Sequence, residues 1–502
     1  MTQDAVNIPT EHGGQSLGHG VAGHPKGVLP LVFAELWERF SWNGMRGVLV
    51  LFLVSSVHGG LGIAPATAVA IYGVYNSAAY MLAVPGGWLG GRVLGPRRAV
   101  VLGGAVLVLG HFSMAVPTIA TFCCGLLLVA VGTGLLKPNI AAMIGELYER
   151  NGIAERKDAG FTVLYIGVNI GSFAAPLVVG TVAEEINWHI GFAIAGVGML
   201  VSLLTLFLNR QPLSDIGRVS ARMDPGQRSS TFRRAGLWLA LGVALLAVDI
   251  ASGAFSIDHV VNVMPILGVG IPVLYFASIL RNGGLAREDR PRIKAYIWFF
   301  GVAVLFWMIY DQSGSLLSLF ADGKTDRSLG GWQFPASWFQ SVNPALVILL
   351  GPALAALWIS TARRSREPST VTKFSFALLL VGASFGVMAV AGWFAGGNGA
   401  AKVSILWLLA VYLLQTIGEL CLVPVGLALS TKLAPAAFVS QLIGLWYMAG
   451  ATGHAINGWV TQLNKPMGDT AYYGLWATVA LIAGGCFLLC SRRLGVLMRG
   501  VR

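Results

Sequence analysis

Long apolar stretches follow one another along almost the whole 502-residue chain, and they constrain its fold more than any other feature. A helix needs about 20 mostly apolar residues to cross the hydrocarbon core of a bilayer. Strands of a membrane barrel are shorter and alternate apolar with polar residues, so these continuous runs exclude a barrel. The sequence therefore predicts an all-α polytopic membrane protein with 14 transmembrane helices. The runs lie near 28–56, 66–91, 98–116, 119–146, 159–182, 187–209, 235–255, 261–280, 295–321, 335–361, 373–396, 403–429, 436–463 and 471–491.

The composition excludes the main classes of soluble protein. Charged residues make up 11% of the chain and hydrophobic residues 55%, whereas a soluble domain carries about 25% charged residues. So few charges cannot cover a globule in water, which excludes a soluble enzyme, a nucleic-acid-binding protein and a disordered chain. The five cysteines all lie in apolar stretches without metal-ligand spacing, and we expect them to be small core residues.

The basic residues divide unevenly between the two sets of loops, and this asymmetry predicts the orientation. Of the 34 Lys and Arg residues, 27 fall in the loops on the side of the two chain ends. The opposite loops hold four, at Lys324, Arg327, Lys402 and Lys465. Because basic loops stay in the cytoplasm, we expect both termini to be cytoplasmic. The same asymmetry accounts for the net charge of +12 without any nucleic acid.

Polar connections divide the apolar runs into groups of six, two and six. The longest connection, 210–234, is rich in Arg, Pro, Ser and Gly and follows the sixth run. Two related bundles with a site at the midplane between them are a transporter architecture. The predicted organisation comprises a disordered cytoplasmic tail at 1–27, an N-terminal six-helix bundle at 28–209, a cytoplasmic linker at 210–234, an inserted helix pair at 235–280, a second cytoplasmic linker at 281–294, a C-terminal six-helix bundle at 295–491 and a cytoplasmic tail at 492–502.

Eight charged side chains fall inside predicted spans. Each costs about 3 kcal/mol at a helix centre, so they must face a water-filled cavity or one another, and such residues mark functional sites. The first span holds two carboxylates beside one arginine at helical spacing, at Glu35, Glu38 and Arg39. One carboxylate there lacks a counter-charge, which is the requirement for a proton carrier, although a static ion pair that clamps two helices is the alternative. The other five charges are Arg46, Lys137, Asp249, Asp311 and Glu419.

The remaining span charges differ in sign between the two bundles. Arg46 and Lys137 lie in the N-terminal bundle, whereas Asp311 and Glu419 lie in the C-terminal bundle, a polarity that suits a zwitterion bound across the interface. Asp249 belongs to the inserted pair, has no evident partner and is interpreted as a locally hydrated residue. Polar and aromatic groups within spans are weaker candidates, because each alone is more often core packing. They are Tyr80, Tyr165, Asn169, Trp307, Asn343 and Trp446.

The sequence shows none of the motifs of ATP-driven or metal-dependent chemistry. It contains no Walker loop, no zinc or haem spacing and no nucleophile elbow. We therefore expect neither an enzyme nor a cofactor. A membrane-embedded enzyme would need a nucleophile–base pair or a metal cluster on facing helices, and neither is visible.

Several segments resemble the signatures of one membrane family. The first-span sequence Glu35-x-x-Glu38-Arg39-Phe40 resembles the first-helix signature of the proton-dependent oligopeptide transporters, a branch of the major facilitator superfamily. The resemblance continues in order along most of the chain, and the inserted helix pair is a feature of bacterial members. The other segments that carry it are 132–140, 158–176, 306–312, 339–344 and 418–424.

The resemblance implies a peptide cavity between the two bundles. Arg46 and Lys137 would hold the peptide carboxylate, while Asn169, Asn343 and Glu419 would hold its amino end. Pairs of Lys137 with Glu419, and of Arg46 with Asp311, would bridge the bundles and gate the cavity. Side-chain pockets would be lined by Tyr80 and Trp307, with Trp446 as a further substrate contact. Proton coupling would involve Glu35, Glu38, Arg39 and Asp311.

The sequence departs from the family pattern at three places. The family usually has two tyrosines where this chain has Trp42 and Asn43, so a phenol hydroxyl is exchanged for an amide. Gly91 stands in place of the aspartate of a cytoplasmic loop motif, which weakens that latch. Gly73 stands where animal members carry a histidine on the second helix, so proton coupling here cannot depend on that histidine.

We therefore expect a symporter that imports di- and tripeptides by alternating access in the bacterial inner membrane, driven by the proton gradient without a cofactor. The alternative on the same scaffold is an importer of another small zwitterionic or anionic solute, which the pair Trp42 and Asn43 favours. The expected partners are small peptides, protons and the lipid bilayer, with no nucleic acid. One chain holds a full cavity, so we expect a functional monomer.

Overall fold

The computed structural model describes residues 24–153, 156–219, 225–253, 256–364, 366–396, 402–435 and 438–499, and most of these are helical. The helices of the N-terminal half are α1 (Val28–Val54), α2 (Pro65–Leu89), α3 (Pro96–Met114), α4 (Ile119–Arg150), α5 (Lys157–Ala175), α6 (Thr181–Glu185) and α7 (Trp188–Leu208). The next two are α8 (Pro225–Ala251) and α9 (Ile257–Arg281). The C-terminal half contains α10 (Arg290–Tyr310), α11 (Leu316–Lys324), α12 (Val342–Arg363), α13 (Thr370–Gly396), α14 (Ile405–Lys432), α15 (Val439–Val460), α16 (Asn464–Met467), α17 (Asp469–Leu489) and α18 (Ser491–Leu497).

Eleven helices within the described residues are long and apolar enough to cross a membrane. The long helices α1, α8 and α15 are not among these eleven. Of the three, α1 carries the charged cluster of the first predicted span. Every predicted apolar run overlaps a long helix. The all-α membrane fold is therefore confirmed, while the total of fourteen spans stays a prediction.

The helix starts follow ordinary capping chemistry. Pro65 and Pro96 occupy the first positions of α2 and α3, where the missing N–H group has no helical partner to lose. The side chains of Thr118 and Asn187 accept backbone N–H groups at the starts of α4 and α7. Residues visible in the sequence therefore set where these helices begin.

Close approach through glycine holds the N-terminal bundle together. There α3 packs along α4, α2 packs along α4, and α1 packs against α5 and α7. A Cβ atom at Gly132 would lie 2.7 Å from the carbonyl oxygen of Gly103, so only glycine lets α3 and α4 meet there. In the C-terminal bundle α13 packs along α14 and α17, and α10 packs along α15. The two bundles meet along α2 and α15 and along α5 and α12.

Four of the eleven apolar spans among the described residues contain segments of irregular helix. Gly90–Leu94 and Pro176–Gly180 are π-helical turns, and Asp311–Gly314 and Ala336–Ser341 are 3₁₀ turns. In a membrane, irregular backbone is tolerated where it is buried in protein or lines a cavity. The break between α10 and α11 places Asp311 against the N-terminal bundle.

The inserted helix pair packs through α9 on α15 and α2. The helix α8 begins at Pro225, earlier than the predicted start at 235, because the helix continues beyond the apolar residues that mark the predicted boundary. Asp249 has a partner, contrary to the prediction: its carboxylate lies 3.1 Å from Nδ1 of His259. Asp249 lies in the last turn of α8 and His259 in the first turn of α9, so these two helix ends lie close together. The predicted tail residues 1–23 and 500–502 lie outside the described residues.

The cysteines contradict the prediction that they are core residues. Cys421 is buried, whereas Cys123, Cys124, Cys486 and Cys490 are exposed on the outside of their helices. An apolar stretch does not distinguish the protein core from a lipid-facing surface, because both favour apolar side chains.

Short strands cover one end of the helices. The strand β1 (Thr325–Asp326) pairs in parallel with β4 (Val403–Ser404), and β2 (Ser328–Leu329) pairs antiparallel with β3 (Trp332–Gln333). Hydrogen bonds from the hydroxyl and amide of Ser328 hold the pKa of the exposed Asp326 carboxyl below its ordinary value. We call this end of the helices the distal end, and the end at which α1 begins the basal end.

Candidate functional site

The interface between the bundles holds a buried ion pair. Arg46 of α1 donates from Nη2 to Oδ1 of Asp311 at 3.0 Å, and the Asp311 side chain is 1% exposed. Arg46 belongs to the N-terminal bundle and Asp311 to the C-terminal bundle, so the pair ties the two together. A buried pair of this kind requires further hydrogen bonds to its charged groups.

Three more side chains surround the Asp311 carboxylate. The hydroxyl of Tyr72 accepts a hydrogen bond from Nε of Arg46 at 2.7 Å and lies 3.3 Å from Oδ1 of Asp311. At the other carboxylate oxygen, Asn457 donates at 3.3 Å and Nδ1 of His454 lies at 2.9 Å. Asp311 is therefore held by groups from α1, α2 and α15 together.

The predicted carboxylate–arginine cluster forms nearer the basal end of α1. Arg39 donates to both oxygens of Glu38, to one of them from Nη2 at 2.6 Å. The Oε1 atom of Glu35 lies 3.6 Å from Nε of Arg39, and its Oε2 is buried without a hydrogen-bond partner among the described residues. Because the bidentate bond commits the arginine to Glu38, Glu35 is the carboxylate left over.

A cavity of about 520 Å³ lies between α1, α2, α4 and α15, and this size suits a small-molecule ligand. Glu35 and Lys137 both line it. The Nζ atom of Lys137 lies 4.7 Å from the centre of the Tyr80 ring, in a cation–π contact. Trp42 also lines the cavity and stacks on Tyr75, with ring centres 5.4 Å apart. The cavity therefore combines an acidic, a basic and an aromatic wall.

Glu419 and Asn343, which the sequence assigned to one end of a substrate, lie together in the C-terminal bundle. The Oε2 atom of Glu419 accepts hydrogen bonds from Nδ2 of Asn343 and from the Tyr310 hydroxyl, each at 2.8 Å. Asn343 also donates to Oγ1 of Thr416 at 2.9 Å. These neighbours orient the carboxylate without supplying a positive charge.

Three other predicted site residues, Asn169, Trp307 and Trp446, make contacts mainly with their own neighbours. Asn169 donates to the carbonyl oxygen of Tyr165 at 2.8 Å. Trp307 packs edge-on against Tyr310, with ring centres 5.3 Å apart. Trp446 is buried in the C-terminal bundle so tightly that a Cβ atom at Gly426 would fall 2.0 Å from its ring. The structure therefore places Trp446 in helix packing and apart from the cavity wall.

One of the two predicted bridging pairs is formed. Arg46 and Asp311 are paired, whereas Lys137 contacts the Tyr80 ring and Glu419 contacts Asn343 and Tyr310. The pairing of Lys137 with Glu419 stays a prediction for a conformation with a different arrangement of the bundles.

Contacts between the bundles close the distal end. Glu184, at the end of α6, accepts the backbone N–H groups of Ala336 and Ser337 at 2.8 and 2.9 Å. Nearby, Nε1 of Trp338 donates to Oγ1 of Thr181 at 2.9 Å. These bonds join α6 of the N-terminal bundle to the 3₁₀ turn that precedes α12 in the C-terminal bundle.

The cavity lies toward the basal end. Gly87 and Tyr447, which line it, belong to the basal halves of α2 and α15. The Arg46–Asp311 pair and the Glu184 contacts lie on its distal side. The protein is thus closed at one end of the bundle interface and holds its cavity toward the other.

From the sequence, His454 is interpreted as a packed or pore-adjacent group of low weight, and Tyr72, Asn457 and Glu184 are not singled out. The available signal for two of them is spacing, since His454 and Asn457 lie three residues apart and share one face of a helix. Polar groups on one face of an apolar span indicate a buried polar partner. The identity of that partner, Asp311, needs the three-dimensional packing.

Two helical bundles that enclose a charged cavity, closed at one end of their interface, define a secondary transporter of the major facilitator type. The model of the POT family matches residues 97–474 of this chain. The chain therefore belongs to the POT family, the proton-dependent oligopeptide transporters, which are membrane transporters and not enzymes.

Individual relatives agree with this assignment. The chain is 39% identical to the uncharacterized transporter YclF of Bacillus subtilis (strain 168), over 96% of each chain. It is 35% identical to a di-/tripeptide transporter of Lactococcus lactis subsp. cremoris, over 96% of this chain and 98% of the relative. A crystal structure of a peptide transporter POT with sulfate matches with a TM-score of 0.92 at 37% identity, covering 98% of this chain and 100% of that chain. A POT family transporter in complex with 5-aminolevulinic acid matches with a TM-score of 0.90 at 33% identity, covering 96% and 99%.

Proposed function

We propose that the protein is a proton-coupled symporter that imports di- and tripeptides by alternating access. The distribution of charge at the bundle interface carries this proposal: one bundle contributes Arg46 and Lys137, and the other contributes Glu419. A free peptide is a zwitterion with a carboxylate at one end and an ammonium group at the other. Charge-assisted hydrogen bonds to both ends favour such a ligand. The di-/tripeptide transporter among its relatives supports the same substrate class.

In this proposal the peptide carboxylate binds Lys137, and Arg46 joins it when the pair with Asp311 opens. The amino end binds Glu419, with Asn169 and Asn343 as neighbouring polar groups. Glu419 receives hydrogen bonds at Oε2 from neutral donors, and among the described residues it is not part of an ion pair. A substrate ammonium supplies that cation.

Proton coupling involves Glu35, Glu38, Arg39 and Asp311. Glu35 lines the cavity and has one oxygen without a partner among the described residues, which supports it as a carrier. Proton uptake at Asp311 or directly beside it weakens the attraction that holds Arg46 and lets the distal end open. The proton gradient supplies the free energy, and no cofactor is required.

The excess of basic residues at the basal end supports placing that end, and both termini, in the bacterial cytoplasm. The distal end then faces the outside, so opening it admits substrate and protons from the medium. The cavity is enclosed by a single chain, which supports a functional monomer.

A second candidate is import of another small zwitterionic or anionic solute on the same scaffold. One solved relative holds 5-aminolevulinic acid, a small zwitterion. In this chain Trp42 fills part of the cavity wall, and Asn43 donates to Oγ of Ser172 at 2.9 Å, so it ties α1 to α5. The Trp42 ring occupies space at the cavity wall, which favours a small ligand.

Uptake of radiolabelled dialanine into proteoliposomes separates the two candidates, with unlabelled tripeptide, single amino acids and 5-aminolevulinic acid as competitors and protein-free liposomes as the blank. Dialanine uptake that di- and tripeptides inhibit and single amino acids do not inhibit supports peptide import. Uptake of 5-aminolevulinic acid without uptake of dialanine overturns the first proposal in favour of the second.

A further inference from the structure

His454 of α15 is a buried titratable group beside the distal ion pair. Its side chain is 5% exposed, and its Nδ1 lies 2.9 Å from Oδ2 of Asp311. Both ring nitrogens are buried, and neither makes a hydrogen bond among the described residues. Imidazole is the side chain whose charge changes near neutral pH. His454 therefore stands next to the gate carboxylate with an unused capacity to bind a proton.

Glycine packing places the imidazole there. A Cβ atom at Gly73 of α2 would lie 2.8 Å from Cα of Gly458, so the two helices touch through their backbones. A Cβ atom at Gly453 would lie 2.8 Å from Cβ of Trp307, which presses α15 equally closely against α10. His454 directly follows Gly453 in α15 and lies between α2 and α10. The position of the ring is thus a consequence of close backbone contacts on two sides.

Side chains from several helices surround His454, and some of them are charged or titratable. The Tyr80 ring lies 4.8 Å and the Trp307 ring 6.4 Å from the imidazole, centre to centre, and α9 meets α15 through Gly268 beside Ala455. An imidazolium at this position would face one anion and two cations. The titratable and charged groups around it are Asp311 of the 3₁₀ turn, Tyr72 and Tyr80 of α2, Arg46 of α1 and, behind the Tyr80 ring, Lys137 of α4.

We infer that His454 takes up a proton from the distal side and, as imidazolium, replaces Arg46 as the counter-charge of Asp311. Arg46 approaches Oδ1 of Asp311 and His454 approaches Oδ2, so a charged His454 would share the single negative charge of the carboxylate with Arg46 and weaken its attraction for the guanidinium. Once His454 carries the proton, Arg46 is free to leave Asp311, the distal contact loosens, and the guanidinium becomes available to an anionic group in the cavity. The last step rests on the proposed function, in which that anion is the peptide carboxylate. His454 acts here as a positioning residue.

Spin labels at the distal end test the inference without any substrate. In a cysteine-free background, Val57 and Leu329 are replaced by labelled cysteines, because both are exposed and lie on different bundles at the distal end. Distance distributions are recorded in nanodiscs between pH 8 and pH 5. The wild-type pattern is expected to widen as the pH falls. In His454→Gln the midpoint is expected to move to the acid side by about one pH unit or more, a tenfold change in proton concentration, because Asp311 itself must then take the proton.

Two further variants complete the measurement: one is a control, and the other should open the distal end without a change of pH. His259→Gln is the matched control, because His259 also faces a carboxylate at 3.1 Å but lies in the inserted pair, and its midpoint should equal that of the wild type. His454→Lys, which places an ammonium group beside Asp311, should hold the distal end wide at pH 8. If His454→Gln does not yield folded protein, the wild-type titration and His454→Lys decide.

Equal midpoints in the wild type and His454→Gln would overturn the inference, and so would a wild-type chain whose distal distances do not respond to pH. A failure of dialanine uptake would instead overturn the proposed function, and the conclusion from the distance measurement would still hold, because that measurement uses no substrate. The two failures are therefore distinguishable.

Discussion

The carboxylate of Glu184 accepts the backbone N–H of Ser337 at 2.9 Å and so caps the first turn of a helical segment that belongs to the other bundle. It accepts the N–H of Ala336 as well, at 2.8 Å. An anion stabilises a helix N-terminus, where backbone N–H groups lack partners. The surfaces meet so closely that a Cβ atom at Gly180 would lie 2.0 Å from Oγ of Ser337. The closed distal end thus depends on a cap supplied across the bundle interface.

Replacing Glu184 by alanine should weaken the closed distal end. Hydrogen bonds to charged groups contribute roughly 1.5–3 kcal/mol each, and this change removes two of them. The distances between labels at Val57 and Leu329 should therefore widen relative to the wild type at pH 8. Glu185→Ala is the matched control, because Glu185 is the neighbouring carboxylate and is exposed. Equal widening in both variants would show that the effect is local charge and not the cap.

Asp311→Asn should shift the protein away from the state closed at the distal end. Removing one partner of a buried pair leaves an unpaired charge and costs roughly 3–5 kcal/mol in the state where the pair forms. Because about 5.5 kcal/mol moves a two-state equilibrium from 1:99 to 99:1, the shift should be large but incomplete. Asp249→Asn removes a carboxylate from the inserted pair and should leave the same distances unchanged. An unaltered distribution in Asp311→Asn would make the Arg46 pair a bystander.

Glu35→Gln and Glu38→Gln should differ, because Arg39 is committed to Glu38. Neutralising Glu35 removes the unpaired carboxylate, so gradient-driven accumulation of dipeptide should disappear while counterflow, which needs no net proton movement, persists. Neutralising Glu38 should also abolish accumulation, and it leaves Arg39 without its bidentate partner, so the yield and thermal stability of the protein should fall as well. Accumulation of wild-type size in Glu35→Gln would remove Glu35 from the mechanism.

Glu419→Gln should affect free dipeptides far more than amino-terminally acetylated ones. The acetyl group removes the ammonium charge that Glu419 is proposed to bind. A charged hydrogen bond is worth roughly 1.5–3 kcal/mol, so the affinity for a free dipeptide should fall about 10- to 150-fold. Competition of each ligand against labelled dialanine measures the two affinities. Losses of equal size for both ligands would assign Glu419 to gating alone.

The sequence supports the helical architecture and much of the charged site. The length of the apolar stretches predicts the helices. The free-energy cost of burying a charge in a membrane identifies functional candidates from the sequence alone, and these are Glu35, Glu38, Arg39, Arg46 and Asp311. The surplus of carboxylate over arginine in α1 follows from counting charges. Which carboxylate is left over does not follow, because it depends on the side-chain geometry that pairs Arg39 with Glu38.

The remaining features depend on packing between distant segments. His454 reaches Asp311 because Gly73 and Gly458 let α2 and α15 touch, and a single sequence does not show which glycines face each other. Glu184 lies at a helix end, where a carboxylate is ordinarily exposed to solvent. The sequence does not show that it accepts the backbone N–H of Ser337, because the two residues belong to different bundles. Asp249 and His259 belong to two different helices, and hydropathy alone does not show which faces of those helices meet.

Coupling between peptide and proton is the central claim, and a pH-sensitive dye sealed inside proteoliposomes tests it most directly. An inward gradient of dialanine, with equal pH on both sides and the membrane potential clamped at zero, should acidify the lumen as the peptide enters. Glu35→Gln liposomes preloaded with unlabelled dialanine should exchange it for labelled peptide without this acidification, and protein-free liposomes give the baseline. Entry of radiolabelled dialanine into wild-type liposomes with no change in luminal pH would contradict proton-coupled symport.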